Sequence, residues 1–578
     1  MIKYLFIFSF ALQFYTSNAQ NNLYIPPAIE DSIFNLTLID TTHQFFNTIN
    51  TNSYGVNGSI LAPTLIINKG DSIQFNVINK INDTTTMHWH GLHVSPENDG
   101  GPHSLILMNE TWSPSFKVRD DAATYWYHPH LHRRTNNHVM KGLAGIIIVK
   151  DENEANLNLP RTYGVDDFPL ILQTKAFDID SQIILGHNQF DSIKMVNATI
   201  DPFLNVPAQI VRFRVLNAGS QRVYNLGLSN GANFHQIASD GGLLNSPVEL
   251  NRLMLAPGER AELLIDFSNM VGDSVELMSF ANEIQKGIYG AKSEGTSPVQ
   301  IIPGYSSNPL NGNNFEVLKF YIQNETPNSI HSIPTILNNL VPYSESEADR
   351  LRHFQLNFGL TNPVNAVMGP FTINDRFFDM SYINDTVLLH DIEVWEIFNH
   401  SGIAHPFHIH DVQFYIIERS GTIVPQNELG KKDVVLVKSN ETIKFITKFE
   451  DFYDDTIPYM YHCHMLMHED EGMMGQFLVR FQEKDTTSTQ SNHNLYIKSE
   501  ISIYPNPAND LIIIEGLKNN NGIIAFYNLQ GKLLQKNNFN DSNTLKLKMG
   551  FGYQGLIIVS VISTKSTFQK LILRNLTH

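Results

Sequence analysis

The chain predicts an all-β protein made of several sandwiches in tandem. Three observations carry that expectation. Segments of strand length, such as Ser72 to Ile78, Ile210 to Leu216, Glu262 to Phe267 and Thr442 to Lys448, alternate or run apolar, with Gly, Pro, Asn and Asp between them. No long stretch repeats at helical spacing. Charged residues are 17% of the 578, below the usual ~25%, while 42% are hydrophobic with 36 Phe and 21 Tyr; this suits strand-rich globular folding and excludes a disordered or fibrous chain.

Taken in order, residues 1–19 form a secretory signal peptide. Lys3 precedes an apolar run from Tyr4 to Tyr15, broken by Ser9 and Gln13, and small residues lead to a cut after Ala19. The longest apolar run elsewhere, Gly142 to Val149, sits between two lysines and reads as a buried strand, so an exported protein with no integral membrane segment is expected. Three sandwich domains follow, over 20–157, 158–312 and 313–484. The segment from Leu65 to Phe75 resembles that from Leu388 to Ile397, and each is followed shortly by a histidine cluster, whereas roughly 160–310 carries only scattered histidines. The chemistry is therefore placed in the first and third domains. A polar linker over 485–500 leads to a small strand-rich unit over 501–578.

Forty Lys and Arg against 57 Asp and Glu give a net charge of −17. That field repels phosphate backbones, which excludes nucleic acid as a partner and favours small cations or metal ions, with solubility as the plainer explanation. The single cysteine, Cys463, rules out an internal disulfide and leaves an inert thiol, an oxidisable thiol or a metal-bound thiolate.

Its neighbours decide. Four clusters recur along the chain: His88-Trp-His90-Gly91; His128-Pro-His130; His405-Pro-Phe-His408-Ile-His410; and His462-Cys463-His464, followed by His468 and Met473. One such pair on a strand is weak evidence; four in one chain point to metal. If residues 460–466 are a strand, His462 and His464 face one side and Cys463 the other. His408 and His410 share a parity and His405 takes the opposite one. The Cys463 side then gathers His405, Cys463, His468 and a distant Met473, the donor set of a blue-copper electron-transfer site; zinc has no need of the Met. The other side gathers eight histidines, too many for one ion and suited to three.

With these clusters in this order, residues 25–482 resemble the multicopper oxidases, the family of laccases and bacterial copper-efflux oxidases. The resemblance implies cupredoxin-like Greek-key sandwiches and four copper ions. It places His405, Cys463, His468 and Met473 on type 1 copper, His88 and His408 on type 2, and His90, His128, His130, His410, His462 and His464 on the type 3 pair. It implies one-electron oxidation of a small substrate (a phenol, an aromatic amine or cuprous ion) coupled to four-electron reduction of O2 to water. Asp99-Gly-Gly-Pro102, the segment from Met140 and His468-Glu-Asp-Glu-Gly-Met-Met474 resemble the efflux-oxidase branch, in which carboxylates matching Asp99 and Glu469 deliver protons. Two departures stand out: Asp411 replaces a customary Gly, and no Met-rich insertion lies between 350 and 400. His93, His103 and His132 are expected outside the ligand set, Met465 and Met467 in the core, and Trp89 and Trp126 beside the cluster. The C-terminal unit, with Tyr504-Pro-Asn-Pro507, resembles the sorting domains of type IX secretion, implying a secreted or cell-surface protein, or otherwise a periplasmic one. A monomer is expected. The rival functions are a copper-sequestering protein without turnover, a nitrite reductase, which lacks the second histidine of His462-Cys463-His464, and a purely structural sandwich array.

Overall fold

The computed structural model describes residues 20–185, 191–293, 308–358, 371–481 and most of 502–574; the expected signal peptide and the 485–500 linker lie outside the described residues. Strands account for about 50% of the chain and helices for 6%, so the all-β expectation holds. Two compact units are present, Met1–Gln482 and Glu483–His578.

Within the first unit, six sheets close in pairs over three hydrophobic cores. Alternation drives the pairing: along Ser72–Lys80, Ile73, Phe75, Val77 and Asn79 turn inward while their neighbours stay wetter. One sheet of the first pair runs in the order Ala28–Glu30, Thr64–Asn68, Gly145–Lys150, Ala123–His128, His88–His90. Leu65, Trp89 and Ile147 from it meet Leu36, Phe75 and Val77 from the opposite sheet. The middle pair, of six and seven strands, closes over Leu170, Phe213 and Leu263 against Leu226, Leu277 and Phe320. Among the described residues the first strand, Asn21–Asn22, pairs in parallel with Pro202–Pro207 of this middle pair.

The third pair repeats the first. Its metal-side sheet runs Asp385–Leu388, Met474–Arg480, Tyr459–Cys463, His405–Ile409, Val434–Val437. Thr64–Asn68 lies parallel to Gly145–Lys150 as Asp385–Leu388 lies parallel to Met474–Arg480, and Ser72–Lys80 lies parallel to Ile33–Phe46 as Ile392–Asn399 does to Arg350–Phe358. The repeat seen in the sequence is thus a repeat of topology, and it puts the histidine strands at matching places in two sheets.

One local expectation needs correction. The strand ends at Cys463 rather than 466, and Leu466–Asp470 is a short helix that carries His468. Past Cys463, His464 N–H still donates to the Pro406 carbonyl of the paired strand, and Leu466 N–H turns away to the Ser220 carbonyl.

The second unit holds a three-stranded sheet (Ser502–Tyr504, Leu511–Glu515, Thr544–Lys548) and a four-stranded one (Leu533–Asn540, Asn521–Asn528, Gly555–Ser563, Thr567–Arg574). Ile514, Phe526 and Val559 are in its core. Among the described residues no helix is long and apolar enough to cross a membrane.

The third core is centred on Trp395, fully buried and stacked 4.5 Å from Phe354. Trp395→Ala is expected to cost about 3–5 kcal/mol of stability, read as a lower urea midpoint; an unchanged midpoint would contradict this packing.

Candidate metal centre

Two donor sets lie on opposite sides of the strand Tyr459–Cys463. On one, His405 Nδ1 is 3.5 Å from Cys463 Sγ, His468 Nδ1 is 3.6 Å from it, and the two nitrogens are 3.3 Å apart. His405 Nε2 faces Ser401 Oγ at 2.7 Å, which turns Nδ1 toward the sulfur. Phe371 covers both rings, at 4.7 and 4.5 Å. Met473 is buried in the same core as Cys463; its N–H donates to the His468 carbonyl and its own carbonyl accepts from Cys463 N–H. Burial pushes the thiol up, so a cation must displace its proton to form a thiolate.

On the other side eight imidazoles converge, two from each cluster, all buried. His130, His410 and His462 form one triad of nitrogens, His90, His128 and His464 a second, and His88 and His408 join His90 in a third, the atoms of each lying within 4.8 Å of one another. The tautomers follow from the outward partners. His88 Nδ1 donates to the Asp99 carbonyl, His408 Nδ1 to the Asp433 carbonyl and His128 Nδ1 to the Pro129 carbonyl, at 2.8, 2.8 and 2.9 Å. His462 Nδ1 donates to the Cys463 carbonyl at 3.1 Å, and His410 Nδ1 to Asp99 Oδ2 at 2.9 Å. A carbonyl or carboxylate only accepts, so the proton sits outward and a lone pair points into the nest.

His130 Nε2 and His410 Nε2 approach His462 Nε2 to 3.1 and 3.4 Å, and the Nε2 atoms of His88 and His408 are buried without a hydrogen-bond partner. Converging lone pairs and orphaned buried nitrogens are what metal ions would satisfy. Burial, reinforced by neighbouring rings, holds these imidazoles well below their ordinary pKa, His464 at about 3, so they stay neutral and able to ligate.

Two carboxyls border the nest. Asp99 Oδ1 lies 3.5 Å from His88 Nδ1, and the Glu469 oxygens lie 3.4 Å from His130 Nδ1 and 3.3 Å from His462 Nδ1. Burial raises both well above the usual carboxylate range. Three further residues support the site: Asp433 and Asp470 through partners remote in the chain, and Ser401 through His405, four residues on. Asp433 Oδ1 accepts from His90 Nε2 at 3.0 Å, Ser401 orients His405, and Asp470 caps the helix Thr135–Lys141 by accepting from Thr135 and Asn136 N–H, both at 2.9 Å.

The flanking aromatics divide by strand parity. Trp126 stacks 4.0 Å from His128 as expected, but Trp89 points away and stacks 4.0 Å from Phe75. His93, His103 and His132 lie in none of the donor sets. His93 Nδ1 instead pairs with Asp411 Oδ1 at 2.8 Å, and Asp411 holds φ 72°, the left-handed conformation that favours Gly and that Asp tolerates.

Comparison with known proteins agrees with this geometry. Residues 39–154 and 351–483 match multicopper oxidase domain families. "Multicopper oxidase mco" of Staphylococcus haemolyticus is 34% identical over 446 residues, 75% of this chain and 86% of the relative. The chain belongs to the multicopper oxidase family. Its fold matches the McoA multicopper oxidase of Aquifex aeolicus with a TM-score of 0.69 at 30% identity, over 80% of this chain and 99% of that one. "Cell division protein FtsP" of Xenorhabdus nematophila is also similar, 31% identical over 437 residues, 74% of this chain and 85% of the relative. Residues 502–574 of this multicopper oxidase match a secretion system C-terminal sorting domain.

Proposed function

We propose that this multicopper oxidase is a copper-loaded oxidase that takes single electrons from a small reductant and reduces O2 to water. The reductant is a phenol, an aromatic amine or cuprous ion. One observation carries the proposal: Cys463, in the first donor set, is bonded through the backbone to His462 and His464, which belong to two different triads of the second. His405, Cys463, His468 and Met473 would hold a type 1 copper, His88 and His408 a type 2 copper, and the two triads a type 3 pair. Copper in these places would supply one-electron transfer at the first site and the binding and four-electron reduction of O2 at the second.

The protein's own part is positional and acid–base. His468, 7% exposed where His405 and Cys463 are fully buried, is the edge a reductant meets. The buried nest excludes bulk water, so protons must arrive on side chains. Asp99 and Glu469, buried carboxyls beside ligand imidazoles, carry them: Asp99 from Oδ1 beside His88, Glu469 from between His130 and His462. Through residues 502–574 we infer export by the type IX secretion machinery to the cell surface or beyond.

The similarity to a protein named for cell division favours a second function, a copper-binding or copper-sequestering protein without turnover. An oxygen electrode separates the two. Copper-loaded protein with a phenol or with cuprous ion is expected to consume about one O2 per four electrons and to release no peroxide; bound copper without O2 uptake would favour the second function. Cys463→Ser is expected to abolish blue colour and turnover while copper remains in the histidine nest, and a variant that stays blue would contradict the type 1 assignment. Asp99→Ala is expected to slow O2 reduction by about 100-fold or more while anaerobic stopped flow shows nearly normal type 1 reduction; equal slowing of both steps would contradict the proton-carrier role.

A further inference from the structure

The middle sandwich supplies no imidazole to the nest, yet it reaches it. Arg260, at the start of the strand Arg260–Asp266, is fully buried, and its guanidinium forms a two-bonded pair with Asp433, both contacts 2.6 Å. Its other N–H groups donate to the carbonyls of Thr124, Gly258 and Asp240, each at 3.0 Å. All five guanidinium donors are thus used, which fixes Asp433 in one orientation.

Asp433 in turn holds two histidines of the nest. Its Oδ1 accepts from His90 Nε2 and its carbonyl from His408 Nδ1, and the two rings stack in parallel 3.8 Å apart. His90 differs from the imidazoles described above in that its outward nitrogen is Nε2, so Nδ1 faces His464 Nε2 at 3.2 Å and His128 Nε2 at 3.4 Å. A carboxylate locked by a guanidinium can only accept, so it dictates that choice. The backbone leaves room for the pair. A Cβ at Gly91, where φ is 87°, would meet Asp433 Oδ2 at 2.5 Å and Arg260 Nη2 at 2.7 Å, which accounts for the Gly after His90.

We propose that Arg260 and Asp433 are positioning residues through which the middle sandwich sets the tautomer of His90 and the orientation of His408, and so the copper affinity of the nest. This rests on the proposed copper nest. In Asp433→Asn the amide can offer a donor to His90 and invert its tautomer; Arg260→Lys keeps the charge but loses the fork.

The test is copper titration of metal-free full-length protein against a competing chelator, with the blue band of the Cys463 site followed in the same samples. Cluster copper in Asp433→Asn is expected to bind about 10–100-fold more weakly, with a smaller loss in Arg260→Lys, while the blue band per chain is retained in both. Wild-type cluster affinity in both variants would overturn the proposal. So would equal loss of cluster copper and blue band in both, the mark of a merely structural pair. Failure of wild-type protein to bind copper in the nest would instead sink the proposed function itself.

Discussion

Adjacent residues of an extended chain point to opposite sides, and at His462-Cys463-His464 that rule of backbone geometry organises the molecule. Cys463 turns into the core of the third sandwich, where His405, His468 and Met473 gather, while its two neighbours turn into the space shared with the first sandwich. Everything else serves this alternation. The third sandwich supplies the strand, the first supplies the four facing imidazoles, and the middle one braces their backs through Arg260 and Asp433.

The nest is electrostatically costly without cations. Eight buried imidazoles present lone pairs to one another, two Nε2 atoms have no partner, and two carboxyls stand beside them with burial opposing their charge. Three large apolar cores hold that arrangement in place, and hydrogen bonds donated outward to backbone carbonyls keep the rings of His88, His128, His408 and His462 from rotating away. The chain is also similar to a protein named for cell division, so the fold alone does not assign turnover, and the proposed oxidase activity rests on the donor sets.

Much of this was legible in the sequence because it depends on local spacing. Parity along single strands correctly divided His462 and His464 from Cys463, and His405 from His408 and His410. Alternating apolar segments gave the sheets, and the likeness of Leu65–Phe75 to Leu388–Ile397 foretold matching topology. Where long-range contacts decide, spacing was insufficient. Leu466 N–H turns to the remote Ser220 carbonyl just past the end of the strand, whereas Trp89 was legible by parity, which opposes that of His88 and His90 and turns it to Phe75. Asp433 meets His90 across 343 positions, and no local pattern marks that pairing. Asp411, a departure from the family pattern, proved to be a left-handed residue steadied by His93.

Anomalous diffraction at the copper edge from copper-loaded crystals tests the central claim most directly. The account predicts one peak beside Cys463 Sγ, His405 and His468 and three more within the eight-imidazole nest. A single peak, or copper bound only at the surface with the nest empty, would contradict it.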